Sequence, residues 1–208
     1  MTKVLVLKSA VTGAASVSNK LVGEFVRQLR ERDPSAAIVT RDLGADPVPH
    51  LLPETVAGIR ATAQTETEKA ALAQSDALVD ELRETELLVI GAPMYNFGIA
   101  SALKTWFDYI LRAGVTFRYT ENGPEGLLPV RKAVVIETRG GLYSEGPGVA
   151  SDSQEPHLRT LLGFMGITDV TFVRAEKLGF GPDAVAEAVE SAVAELNGFA
   201  DRELALVA

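Results

Sequence analysis

Apolar residues along the chain fall into two kinds of segment. Short unbroken runs occur at Val4-Leu5-Val6-Leu7, Ile38-Val39, Leu87-Leu88-Val89-Ile90, Ala133-Val134-Val135-Ile136 and Val170-Thr171-Phe172-Val173. They have strand length and little or no polar face, so they predict strands buried on both sides. Between them lie stretches with apolar residues at helical spacing. Leu21, Val22, Phe25, Val26 and Leu29 recur through 19–32, and Asp33-Pro34 ends that helix. Ala71, Leu72, Ala77, Leu78 and Leu82 form one side of a helix over about 65–84. Further helices are predicted at 54–60, 99–112, 155–165 and 183–201. Ser16 or Ser18 is a suitable N-cap for the first helix.

Strand and helix alternate five times with no repeat and no linker. That predicts an α/β fold, a doubly wound five-stranded parallel sheet with right-handed crossovers. For five strands the flavodoxin-like order 2-1-3-4-5 is the natural arrangement, with its crevice between the first and third strands. We expect a single domain over 1–208. The segment 114–128 breaks the pattern: Val115-Thr116-Phe117-Arg118-Tyr119 alternates, and Glu121-Asn122-Gly123-Pro124-Glu125-Gly126 is turn chemistry. It reads as an excursion in the form of a hairpin.

Composition narrows the chemistry. The 208 residues are 47% hydrophobic and 23% charged, which is ordinary for a globular chain. There are no cysteines, which excludes disulfides, thiolate catalysis and zinc–thiolate sites and fits a cytoplasmic protein. No apolar run is long enough to span a bilayer, and the N-terminus lacks the apolar core of a signal peptide. A net charge of −8 without a basic stripe argues against nucleic acid and anionic membrane as partners. His50 and His157 lack metal-ligand spacing, so no metal site is expected. No G-x-S-x-G elbow accompanies the scattered serines. With no side-chain catalyst in view, the chemistry falls to a cofactor.

Three loops carry the candidate site, and the expected strand order makes them neighbours. After the first strand, Ser9, Thr12, Ser16 and Ser18 bring hydroxyls, with backbone amides, to a helix N-terminus. The loop lacks both G-x-G-x-x-G and G-x-x-x-x-G-K-[ST], but such an end can hold a phosphate monoester without a cation. After the third strand, Met94, Tyr95, Asn96 and Phe97 stand between Pro93 and Gly98. They offer stacking surface and an in-plane hydrogen bond to a flat ring. After the fourth, Thr138, Arg139, Gly140 and Gly141 let a backbone approach a ligand and present amide donors. Taken singly, each loop also admits a plain reading: a capped helix, side chains packed under the next helix, a simple turn. Together they fit a mononucleotide with a flat ring, which is FMN.

The sequence resembles the FMN-dependent NADH:azoreductases, also described as FMN-dependent NADH:quinone oxidoreductases. The resemblance runs along nearly the whole chain. It is most specific at 3–9, at Ala92-Pro93-Met94-Tyr95-Asn96-Phe97, over 112–127 and at Thr138-Arg139-Gly140-Gly141. It implies a flavodoxin-like homodimer with each active site at the dimer interface. It also implies a ping-pong reaction: hydride passes from NADH to FMN, and two electrons then pass to a quinone or an azo compound. By the same resemblance, Ser9 and Ser16-Val17-Ser18 hold the phosphate and ribityl end. Residues 94–97 run along the ring, and 138–141 cover its pyrimidine end. Ala10 stands where some relatives carry a second serine, and Thr138 where a serine is common. On the substrate side stand Tyr119, Phe164 and Arg60, each of which also has a plain reading as a packed or solvated residue.

Two other functions remain open at this level. A flavodoxin-type electron carrier would bind FMN but pass electrons to a protein partner. A receiver-like regulatory domain would need an acidic cluster where this chain has Lys8-Ser9 and Pro93-Met94. The absence of an arginine cluster for a 2′-phosphate points to NADH over NADPH.

Overall fold

The computed structural model describes residues 2–204; Met1 and 205–208, which the expected 1–208 domain includes, lie outside them. In chain order its strands are β1 (Lys3–Lys8), β2 (Ala37–Asp42), β3 (Leu87–Pro93), β4 (Phe117–Thr120), β5 (Gly123–Gly126), β6 (Lys132–Thr138) and β7 (Asp169–Ala175). The helices are α1 (Val17–Arg32), α2 (Pro53–Arg60), α3 (Glu66–Arg83), α4 (Ser101–Ile110), α5 (Glu155–Phe164) and α6 (Pro182–Leu204). Five strands pair in parallel in the order β2-β1-β3-β6-β7. This is the expected flavodoxin-like sheet.

Alternation along each strand divides the core in two. Leu5, Leu7, Leu88, Ile90, Ala133 and Val135 pack under α3, α4 and α5. Val4, Val6, Leu87, Val89, Val134 and Ile136 pack under α1 and α6. Each large aliphatic side chain so buried contributes about 1.5–3 kcal/mol, which is why continuous apolar runs identify these strands. From β1 the chain leaves over one face through α1, and from β3 over the other through α4. The loops after two neighbouring strands therefore diverge, leaving a crevice at their carboxyl ends.

Several boundaries differ from expectation, each because backbone groups find partners that the hydrophobic pattern does not show. β3 and β6 continue past their aliphatic runs, pairing Gly91 with Ile136, Ala92 with Glu137 and Pro93 with Thr138. Pairing continues while the neighbouring strand still offers backbone groups, whatever the side chains. α1 begins two residues early because Ser16 caps it: its Oγ accepts from the Asn19 amide at 3.3 Å. Ser18 is thus inside the first turn.

The excursion is a two-stranded antiparallel ribbon, β4 with β5, separate from the main sheet. It docks backbone to backbone. A Cβ on Gly126 would lie 2.1 Å from the Met165 carbonyl and 2.2 Å from the Gly166 nitrogen. At such distances neither chain can yield without moving the ribbon off the end of α5. We expect Gly126→Ala to lower stability by about 1–3 kcal/mol in thermal or urea unfolding, with the far-UV spectrum of the main sheet retained. An unchanged melting temperature would show that the ribbon is held by other contacts.

Candidate functional site

β1 ends where Ser9, wholly buried, donates its hydroxyl to the Gly91 carbonyl at 2.7 Å. This hydroxyl ties the ends of β1 and β3 together. Ala10 is buried beside it, and Gly44 crosses so near that a Cβ there would sit 2.1 Å from the Ala10 oxygen. A short 3-10 turn, Gly13–Ala15, then leads into Ser16. The Ser16 and Ser18 hydroxyls are buried 3.0 Å apart. Among the described residues the Val17 and Ser18 amides, first in α1, have no acceptor, and Val17 packs on the α1 side of the core. Asn19 Oδ1 is likewise buried without a partner. Free amides at a helix N-terminus suit an anion, and the orphaned oxygen suits a ligand hydroxyl.

The second loop is more constrained than its composition announces. Tyr95 and Gly98 exchange backbone hydrogen bonds at 3.0 and 3.1 Å, closing a two-residue turn. Asn96 and Phe97 fill it at φ 47° and 71°, the left-handed pair of a type I′ turn. For a phenylalanine that conformation stores roughly 1–2 kcal/mol. The turn is pinned on all sides. The Met94 amide donates to the Thr138 carbonyl at 2.9 Å and the Ser153 amide to the Phe97 carbonyl at 3.0 Å. The Tyr95 hydroxyl accepts from the Val11 amide of the first loop at 3.2 Å. Phe97 is left 52% exposed, its ring meeting that of Tyr143 edge-on at 6.2 Å. Met94 and Tyr95 are half-buried and Asn96 is exposed.

In the third loop the carbonyls and amides face different ways. The carbonyls of Arg139, Gly140 and Gly141 accept from the amides of Leu178, Gly179 and Lys177 in the loop after β7. The amides of Gly140 and Gly141 have no acceptor among the described residues. Free amides of this kind suit a ring with developing negative charge.

The Arg139 side chain faces away from those amides. It is 1% exposed, because residues two apart in a strand share a face and Glu137 already points into the interior. Its Nη2 pairs with Glu137 and reaches Asp152 Oδ2 at 3.2 Å and Glu155 Oε2 at 3.8 Å. Nη1 meets Glu176 Oε1 at 3.3 Å, and Nε donates to Gln154 Oε1 at 3.0 Å. Gln154 Nε2 in turn donates to the Ala92 carbonyl at 2.8 Å. Glu176 also accepts from the Tyr143 and Ser144 amides at 2.8 and 3.1 Å. Sequence reasoning missed Glu137, Gln154 and Glu176. The only signal was an acid directly after an apolar strand, with an arginine two residues on.

The remaining candidates lie elsewhere. Tyr119, 73% exposed, Phe117 and Phe164 form a cluster of edge-on rings. With Arg60 and Arg112 they line an open cleft of about 720 Å³. Gln154, at the head of α5, touches Ala92, whereas Phe164 ends that helix about 15 Å further on. On one chain, then, the aromatic cluster does not meet the three loops. His50 and His157 stand on different segments and outside both groups.

Breaking the buried pair from one side should be severe. Arg139→Met leaves Glu137 beside three other acids, and we expect a loss of about 3–5 kcal/mol in unfolding free energy. Arg139→Met combined with Glu137→Gln should recover part of it. A single substitution that unfolds at the wild-type denaturant midpoint would contradict this account.

Comparison with known proteins accords with this geometry. A family described as having a flavodoxin-like fold matches residues 2–199. Over 196 residues the chain is 53% identical to the FMN-dependent NADH:quinone oxidoreductase of Hyphomonas neptunium, covering 94% of each chain. The solved azoreductase of Bacillus anthracis strain Sterne is 31% identical with a TM-score of 0.87, over 97% of this chain and 100% of that one. The FMN-dependent NADH-azoreductase of the Ames Ancestor strain, solved with FMN, is 26% identical with a TM-score of 0.87, over 97% and 99%. The chain belongs to the FMN-dependent NADH:quinone oxidoreductase family, within the flavodoxin-like fold.

Proposed function

We propose that this protein reduces quinones and aromatic azo compounds by two electrons, with NADH as donor and FMN as bound cofactor. The observation that carries the reading is the meeting of three loops at one end of the sheet. Free amides of Val17 and Ser18 lie on one side of the 94–97 turn, and free amides of Gly140 and Gly141 on the other. FMN supplies hydride acceptance from NADH and two-electron delivery to the acceptor, in ping-pong order. The residues divide the remaining work. Ser16 and Ser18, with the first α1 amides, hold the phosphate through hydrogen bonds and the helix dipole. Ser9 sets the spacing of the two strand ends. Met94, Tyr95, Asn96 and Phe97 run along the ring, and the rigid turn holds them in register. The Gly140 and Gly141 amides stabilise negative charge at the pyrimidine end, and water supplies later protons. The relatives' names leave the electron-carrier alternative without support.

The same proposal includes a homodimer acting as a single-domain unit in the cytoplasm. Its support is the separation of the two half-sites. Tyr119, Phe164 and Arg60 line a cleft remote from their own chain's loops, and a second copy can bring that cleft to them. An exposed aromatic cluster of this kind is suited to an interface. No helix among the described residues is long and apolar enough to cross a membrane.

The purified protein should be yellow, and NADH should bleach its flavin absorbance without air. Steady-state rates with NADH should exceed those with NADPH against both a quinone and an azo dye. A colourless protein that cannot be reconstituted with FMN ends the reading. Tyr119→Ala should raise KM for the acceptor by about 3–10-fold with FMN content unchanged. An unaltered KM would remove Tyr119 from the substrate side.

A further inference from the structure

Behind the Gly140–Gly141 wall lies a charge cluster that the reduction of a quinone does not by itself require. Glu137 is fully buried at the end of β6, and its Oε1 has no partner. Every packed element presents something to it. Its own loop brings Arg139. β7 brings Arg174, with Nε 3.9 Å from Glu137 Oε2. α5 brings Glu155, which Arg159 and Arg174 also hold. The segment before α5 brings Asp152 and Gln154, and the turn after β7 brings Glu176. From β3 comes only Ala92. Three arginines thus face four carboxylates. The cluster carries one excess negative charge when Glu137 is ionised and is balanced when Glu137 is protonated.

Arg139 connects this cluster to the wall, since its backbone is the loop and its side chain is the centre of the cluster. We propose that Glu137 is a tuning residue for the bound flavin: by gaining or losing a proton behind the 138–141 loop it sets how readily the ring accepts negative charge. The proposal rests on the FMN reading above and deepens it. Burial pushes the Glu137 carboxyl up to about 7; Arg139 opposes this, while Glu155 and Asp152 reinforce it. The charge therefore switches near neutral pH. Above that value the ionised carboxylate disfavours a negatively charged ring. Below it the penalty disappears. By linkage the effect is reciprocal, so reducing the ring raises the affinity of Glu137 for its proton. Glu137 touches no reacting atom and acts only through the loop.

The test is the midpoint potential of bound FMN, titrated against a reference dye at about pH 5.5 and about pH 8.5 in the wild type, Glu137→Gln and Glu137→Asp. Glutamine has the same shape and still accepts from Arg139. We expect equal potentials for wild type and Glu137→Gln at the lower pH and a more positive potential for Glu137→Gln at the higher. Glu137→Asp should follow the wild type. A purely structural role would give a difference of the same size at both pH values, or none, and either result overturns the proposal. Should Glu137→Gln fail to fold, carboxyl NMR of glutamate-labelled wild-type protein decides. One buried glutamate must titrate near neutrality, with its midpoint rising when the bound FMN is reduced. No such titration overturns the proposal. A protein that takes up no FMN removes the underlying reading itself and the proposal with it.

Discussion

The Arg139 guanidinium is buried, so protein groups must neutralise it where β6, β7 and α5 meet. A buried charge is tolerable only when paired and fully hydrogen-bonded. Meeting that demand fixes much of the surrounding architecture. Glu137 must point inward from β6. Gln154 must bridge from the arginine to the Ala92 carbonyl at the end of β3. Glu176 must stay close enough to hold the Tyr143 and Ser144 amides as well. The ends of three strands and the start of α5 are bound to one side chain, and two of the three candidate loops inherit their rigidity from it.

The fold was largely legible in the sequence because burial on both faces leaves a plain trace. Five apolar runs alternate with amphipathic stretches, and few topologies accommodate them. Placing the three loops together needed only the strand order. What could not be read was the direction of individual side chains beyond the last apolar residue. Arg139 looked like part of a ligand-facing loop, yet the two-residue period of β6 turns it inward. The bond from the Ser9 hydroxyl to the Gly91 carbonyl had no trace in the sequence either. The left-handed Asn96-Phe97 turn was hidden because neither residue is glycine. Tyr119 and Phe164 were joined to the site through family resemblance. Nothing in one chain's periodicity says that they lie at the far end of α5.

Rigidity is concentrated where a flat ligand would need it. The strained turn survives because three separate segments hold it, through the Thr138 carbonyl and the Ser153 and Val11 amides. Strain of this size persists only when the surroundings over-determine it. A ring laid along such a turn meets groups already in place, so little ordering is left for binding to complete.

The β4–β5 ribbon shows the opposite arrangement. Its contact with the end of α5 is made by the main chain at Gly126 and by the buried Phe117 ring, which meets Phe164 edge-on at 4.6 Å. Anchoring therefore falls to Gly126 and the buried Phe117, while Tyr119, 73% exposed, only borders the cleft. Residues such as Tyr119 can change identity without loosening the ribbon, so acceptor preference is free to drift between descendants of this sequence while the scaffold that presents it stays the same.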